Sequence, residues 1–166
     1  DEACIDKAVI NLFMARMKLG VFDQKGDNPF DAIPFSVVDS KEMQALNEDV
    51  ARRSVVLLKN KNQTLPLNLS NIKTIGVIGP NANNRHALVG NYEGTASRYI
   101  TVLEGIQDYV GERVRVLYSE GGHLYKDRTT GLAQANDRAA EVRQVCADSD
   151  VVIAVMGLDA SVEGEQ

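Results

Sequence analysis

Val151-Val152-Ile153-Ala154-Val155-Met156-Gly157 runs straight into Leu158-Asp159-Ala160-Ser161-Val162-Glu163-Gly164-Glu165-Gln166. An unbroken apolar run of that length, closed by glycine, predicts a strand buried on both faces, as strands are in a parallel sheet. Asp159, Glu163 and Glu165 follow with no basic residue among them. Ligands of open α/β sheets bind beyond the carboxyl ends of the strands, so acids placed there are candidates for chemistry. A doubly buried strand also needs a helix to cover it, and none follows. The segment therefore reads as part of a longer protein.

The same beat recurs upstream. A strand over 72–78 closes on Gly79-Pro80-Asn81, and a second over 114–118 closes on Glu120-Gly121-Gly122. Apolar residues at three-four spacing predict helices near 102–109 and over 132–147, with the third strand over 150–156. Strand–helix–strand–helix–strand implies crossover connections and an α/β fold. The expectation is a partial α/β sandwich on a parallel sheet of three βαβ-type strands, with all strand ends on one edge.

Ahead of this unit, Ile5, Val9, Leu12 and Leu19 mark an amphipathic helix that Gly20 stops. Asp, Gly, Asn and Pro then dominate around Asp27-Asn28-Pro29-Phe30 and Ile33-Pro34, which is turn chemistry and reads as a linker. Ser40 is an N-cap for a helix carrying Met43, Leu46 and Val50 and predicted to reach about residue 59. Three segments result: a helix in 1–20, a linker in 21–39 and the α/β unit in 40–166.

Bulk properties limit the function classes. Of the 166 residues, 44% are hydrophobic and 25% charged, ordinary for a chain that buries a core. A net charge of −5 without basic clusters argues against nucleic acid and a polybasic membrane surface. No apolar run reaches the roughly 18 residues that span a bilayer. Cys4 and Cys146 are far apart, with no Cys or His at ligand spacing; they read as buried thiols, with a disulfide left open.

Each chemical motif has a plain rival. Gly76-Val77-Ile78-Gly79-Pro80-Asn81 lacks the third glycine of a dinucleotide fingerprint, and Pro80 removes an N–H that would face phosphate. Gly90-Asn91-Tyr92-Glu93-Gly94 offers a ring face and hydrogen-bonding groups, as sugar sites do, or is a polar surface loop. His86 and His123 have no partner at metal-ligand spacing and read as structural or solvated. In the acidic loop, Glu163 and Glu165 are two apart. A neighbouring carboxylate or burial is what raises a glutamate's pKa for proton donation; otherwise three acids in a loop are a solvated surface feature.

Seven motifs occur in order: Ala51-Arg52-Arg53-Ser54-Val55-Val56-Leu57-Leu58-Lys59-Asn60, Leu65-Pro66-Leu67, Val77-Ile78-Gly79-Pro80-Asn81-Ala82, Gly90-Asn91-Tyr92-Glu93-Gly94, Leu103-Glu104-Gly105-Ile106, Gly157-Leu158-Asp159 and Glu163-Gly164-Glu165. Taken together, they resemble glycoside hydrolase family 3, the β-glucosidases and β-xylosidases. The resemblance implies a (β/α)-barrel first domain, whose last helix would be 1–20, and an α/β sandwich second domain beginning at 40. It implies a nucleophilic aspartate on the barrel and an acid/base glutamate in a Glu-x-Glu loop of the second domain. That makes Glu165 the expected acid/base, with Glu163 the alternative, and places Asn91 and Tyr92 at the sugar. No cofactor or metal is implied. The partners implied are a β-linked glucoside or xyloside and the barrel domain, in a secreted or periplasmic setting. Retaining hydrolysis needs two carboxyl groups about 5–5.5 Å apart. Only one of them would be in this segment, which alone is expected to be inactive. A non-catalytic carbohydrate-binding or structural module is the alternative, and an unrelated nucleotide-binding domain a third.

Overall fold

The computed structural model describes residues 1–92, 94–124 and 138–164. Its packing divides the chain into two units, Asp1–Leu58 and Lys59–Gln166.

In the first unit, helix α1 (Glu2–Lys18) is capped by Asp1, whose side chain accepts the N–H of Ala3. Arg16 and Lys18 in its last turn complement the helix dipole. The apolar periodicity is there, yet none of its residues is buried. Phe13 stacks on Phe22 with centroids 5.7 Å apart, and the Arg16 guanidinium lies over the Phe13 ring. Two short 3-10 turns, Pro29–Ala32 and Phe35–Val37, punctuate the stretch read as a linker. Helix α2 (Lys41–Ser54) starts where predicted, with the Ser40 hydroxyl accepting the N–H of Met43 at 3.3 Å. It stops at Ser54, short of the expected residue 59, and Val55 is already extended. The two β-branched residues Val55 and Val56 lose side-chain freedom in a helix and favour that exit.

The second unit contains β1 (Thr74–Ile78), α3 (Val102–Val110), β2 (Arg115–Ser119), α4 (Ala139–Ala147) and β3 (Val151–Ala154). The strands form a parallel sheet in the order β2-β1-β3, so the α/β expectation holds. Ile75 sits opposite Val116 and Val151, and Val77 opposite Tyr118 and Ile153. The core gathers on the central strand and α3: Ile75, Val77, Ala82, Leu103, Val110 and Val114 are buried, with Ile106, Val116 and Ile153 packed against them.

The expectation that 151–157 is buried on both faces is corrected. Val151 and Ile153 are half-buried, whereas Val152 and Ala154 are exposed. Among the described residues β3 pairs only with β1, and the doubly buried strand is β1, at the centre. The helix predicted over 132–147 is seen as α4; residues 132–137 lie outside the described residues. The buried-thiol reading is also corrected, because Cys4 and Cys146 are both free and exposed. Cys4 lies on α1, which buries nothing, and Cys146 lies off the half-buried face of α4 formed by Ala139, Val142 and Val145.

Candidate functional site at the carboxyl edge of the sheet

The backbone ties the three strand ends together. The carbonyl of Ile78 accepts the N–H of Val155 at 2.8 Å, and that of Ser119 accepts the N–H of Gly79 at 3.3 Å. Gly79 has φ +118°, and a Cβ there would lie 2.2 Å from the carbonyl oxygen of Val155. A Cβ on Gly76 would lie 2.7 Å from Ser149 Oγ and 2.9 Å from Val145 Cγ1, on the α4 side. Both glycines thus serve close approach of neighbouring backbone and helix.

An asparagine-rich turn follows β1. Asn83 Oδ1 accepts the hydroxyl of Thr101, and that hydroxyl in turn accepts the N–H of Glu104 as the N-cap of α3. Asn84 reaches the acidic loop, donating from Nδ2 to Asp159 Oδ2 at 3.1 Å. Asp159 is buried. Its Oδ1 accepts the N–H of Ser161 at 2.9 Å and the Ser161 hydroxyl, and its carbonyl accepts the N–H groups of Val162 and Glu163. The first of the three predicted acids is therefore the loop's internal anchor.

A cleft of about 240 Å³ lies between this loop and the glycine-bearing one, lined by His86, Gly90, Asn91, Ala160 and Ser161. The structure brings Asn91 beside the acidic loop. Glu163 is exposed on that loop, and Tyr92 is 85% exposed outside the cleft lining. Glu165, the expected acid/base, lies outside the described residues, as does Glu93. The descending limb of the glycine-bearing loop is tied to α3 by Arg98 and Glu104, 2.6 Å apart; the Arg98 hydrogen bond holds the Glu104 carboxyl below its usual range.

A second cleft of about 360 Å³ is lined by Pro80, Asn83, Asn84, Tyr118, Glu120, His123 and Leu124. Glu120 pairs with Arg138 at 3.0 Å. Burial pushes the Tyr118 hydroxyl up, and the Glu120 charge adds to that. Both histidines read as structural or solvated thus border clefts at the sheet edge. For His123 the signal was present in its position just past a strand end. For His86 it was not, because spacing alone does not show which way a turn folds back. Among the described residues no group of three His, Cys, Asp or Glu side chains could hold a metal ion.

A parallel α/β unit with an acid-bearing loop and clefts at its strand ends carries candidate groups where ligands of open α/β sheets bind. Residues 55–166 match the glycosyl hydrolase family 3 C-terminal domain, and the chain belongs to that family. It is 36% identical over 166 residues to beta-xylosidase/alpha-L-arabinofuranosidase 1 of Medicago sativa subsp. varia, covering 99% of this chain and 20% of that protein. Among solved structures it is similar to a GH3 exo-beta-xylosidase in complex with a xylobiose aziridine probe, with TM-score 0.81 and 32% identity over 99% of this chain and 20% of that one. It is also similar to a beta-glucosidase from Listeria innocua in complex with glucose, with TM-score 0.71 and 26% identity over 99% of this chain and 21% of that one. The chain spans about one fifth of the length of these relatives.

Proposed function

We propose that this chain is a segment of a retaining, exo-acting β-glycosidase that releases terminal β-linked xylose or glucose, and that it supplies the general acid/base. Glu165 takes that role, with Glu163 as the alternative. It protonates the leaving oxygen, then activates the water that resolves the glycosyl-enzyme intermediate. The nucleophile comes from a barrel domain elsewhere in the longer protein, of which 1–20 is the last helix, 21–39 the connection and 40–166 the start of the sandwich domain.

The observation that carries this reading is the 240 Å³ cleft, in which Asn91 faces Ala160 and Ser161 on the acid loop. A sugar ring needs hydrogen-bonding groups on one side and a proton donor at its leaving oxygen; Asn91 in the cleft lining supports the first, and the loop on its other wall carries the exposed Glu163 ahead of Glu165 in sequence. The relatives named for β-xylosidase activity weigh the substrate towards xylose. Assay of the full-length protein on aryl β-D-xyloside and aryl β-D-glucoside tests the proposal. Turnover is expected with both, with the larger kcat/KM on the xyloside. Cleavage of neither would favour a non-catalytic carbohydrate-binding module.

A further inference from the structure

Asn84 uses both ends of its amide. Oδ1 accepts the N–H of His86 at 2.9 Å, at the head of the turn His86–Leu88 that runs on into Gly90 and Asn91. Nδ2 donates to Asp159 Oδ2 at 3.1 Å. Asp159 is only 5% exposed, and its other carboxylate oxygen and its carbonyl hold Ser161, Val162 and Glu163. One side-chain contact therefore joins the two loops that wall the 240 Å³ cleft.

We infer that Asn84 and Asp159 form a clasp that sets the acid loop against the Asn91 loop, making both of them positioning residues for the proton donor. The inference rests on the glycosidase reading of that cleft. Misplacing a catalytic group by about 1 Å can cost on the order of 100-fold in rate. A loop held by a buried carboxylate and a half-buried amide avoids that loss without either group touching substrate.

The polarity of the contact supplies the test. In Asp159→Asn the new amide has two orientations, and in either its NH2 meets a donor, Asn84 Nδ2 or the Ser161 N–H. In Asn84→Asp two carboxylates face each other. Making both substitutions together reverses the pair: the carboxylate at 84 accepts from His86 and from the amide at 159, whose oxygen still accepts from Ser161. The two single variants and the exchange are prepared in the full-length protein. Rates are read on an aryl xyloside with a poor leaving group, which needs protonation, and on a dinitrophenyl xyloside, which does not. Hydrogen exchange at Ser161, Val162 and Glu163 is followed alongside.

Each single variant should lose about 10- to 100-fold in kcat/KM, which reports the glycosylation step, on the poor leaving group and far less on the activated one. Amide protection at 161–163 should fall in the single variants, and the exchange should restore most of both. Equal losses on the two substrates, unchanged protection in the single variants, or an exchange no better than its parents would overturn the clasp. If the wild-type protein cleaves neither substrate, the glycosidase reading fails and the positioning role falls with it; the exchange data then decide whether the structural contact stands.

Discussion

Asp150 joins the start of β3 to the start of β1. One of its carboxylate oxygens accepts the N–H of Lys73 at 2.8 Å and that of Thr74 at 2.9 Å, and its own N–H donates to the Thr74 carbonyl at 3.0 Å. The two backbone donors hold its pKa below the usual aspartate value. A carboxyl whose pKa is lower folded than unfolded stabilises above its unfolded pKa of about 3.9, and that contribution is lost as the pH falls through the folded value. Asp150→Ala should therefore melt below the parent protein at pH 7, and the gap should narrow below about pH 4. A gap that stays constant across that range would show that the charge plays no part. At the same scale Asp159 and Asn84 lie 75 residues apart in sequence, and nothing in the local pattern around either announces the other. The acid loop, Asp159 included, could be read from its composition; the partner that ties it down, Asn84, could not.

Among the elements, the glycines of β1 and α3 make opposite predictions. Gly79→Ala would drive a Cβ into the Val155 carbonyl from a positive-φ backbone, and neither strand can move without breaking the sheet edge. It should destabilise by roughly 3 kcal/mol. Gly105 lies inside α3, where a Cβ would meet only Ile100 Cγ2 at 3.8 Å. Gly105→Ala should stabilise by about 0.5–1 kcal/mol, by removing freedom from the unfolded chain. Thermal melts of the two variants beside the parent check both signs. Strands β1 and β2 and helix α3 were legible because each carries its own apolar period and ends on glycine or a turn. Two features were not. The end of α2 depends on a local competition at Val55 and Val56 that apolar spacing ignores. The burial of β3 depends on its place at one side of the described sheet, and an apolar run looks the same at an edge and at the centre.

At the scale of the whole molecule, the chain folds its α/β unit around β1 but spans only about a fifth of its relatives. Retaining hydrolysis requires two carboxyl groups about 5–5.5 Å apart, and the proposed reading draws only one of them from these residues. The 166-residue segment prepared alone should show no turnover of aryl xyloside or glucoside above the uncatalysed rate, while the full-length protein turns over; activity in the verified segment would place both groups within it. The central claim is that this chain brings the proton donor, and the most direct test is the Glu165→Ala variant of the full-length protein, assayed with and without azide. Turnover of substrates with poor leaving groups should fall by about 100- to 10,000-fold. Azide should restore cleavage of an activated aryl xyloside, with glycosyl azide as the product. A Glu165→Ala variant that keeps full activity, or one that azide leaves unchanged, would contradict the assignment.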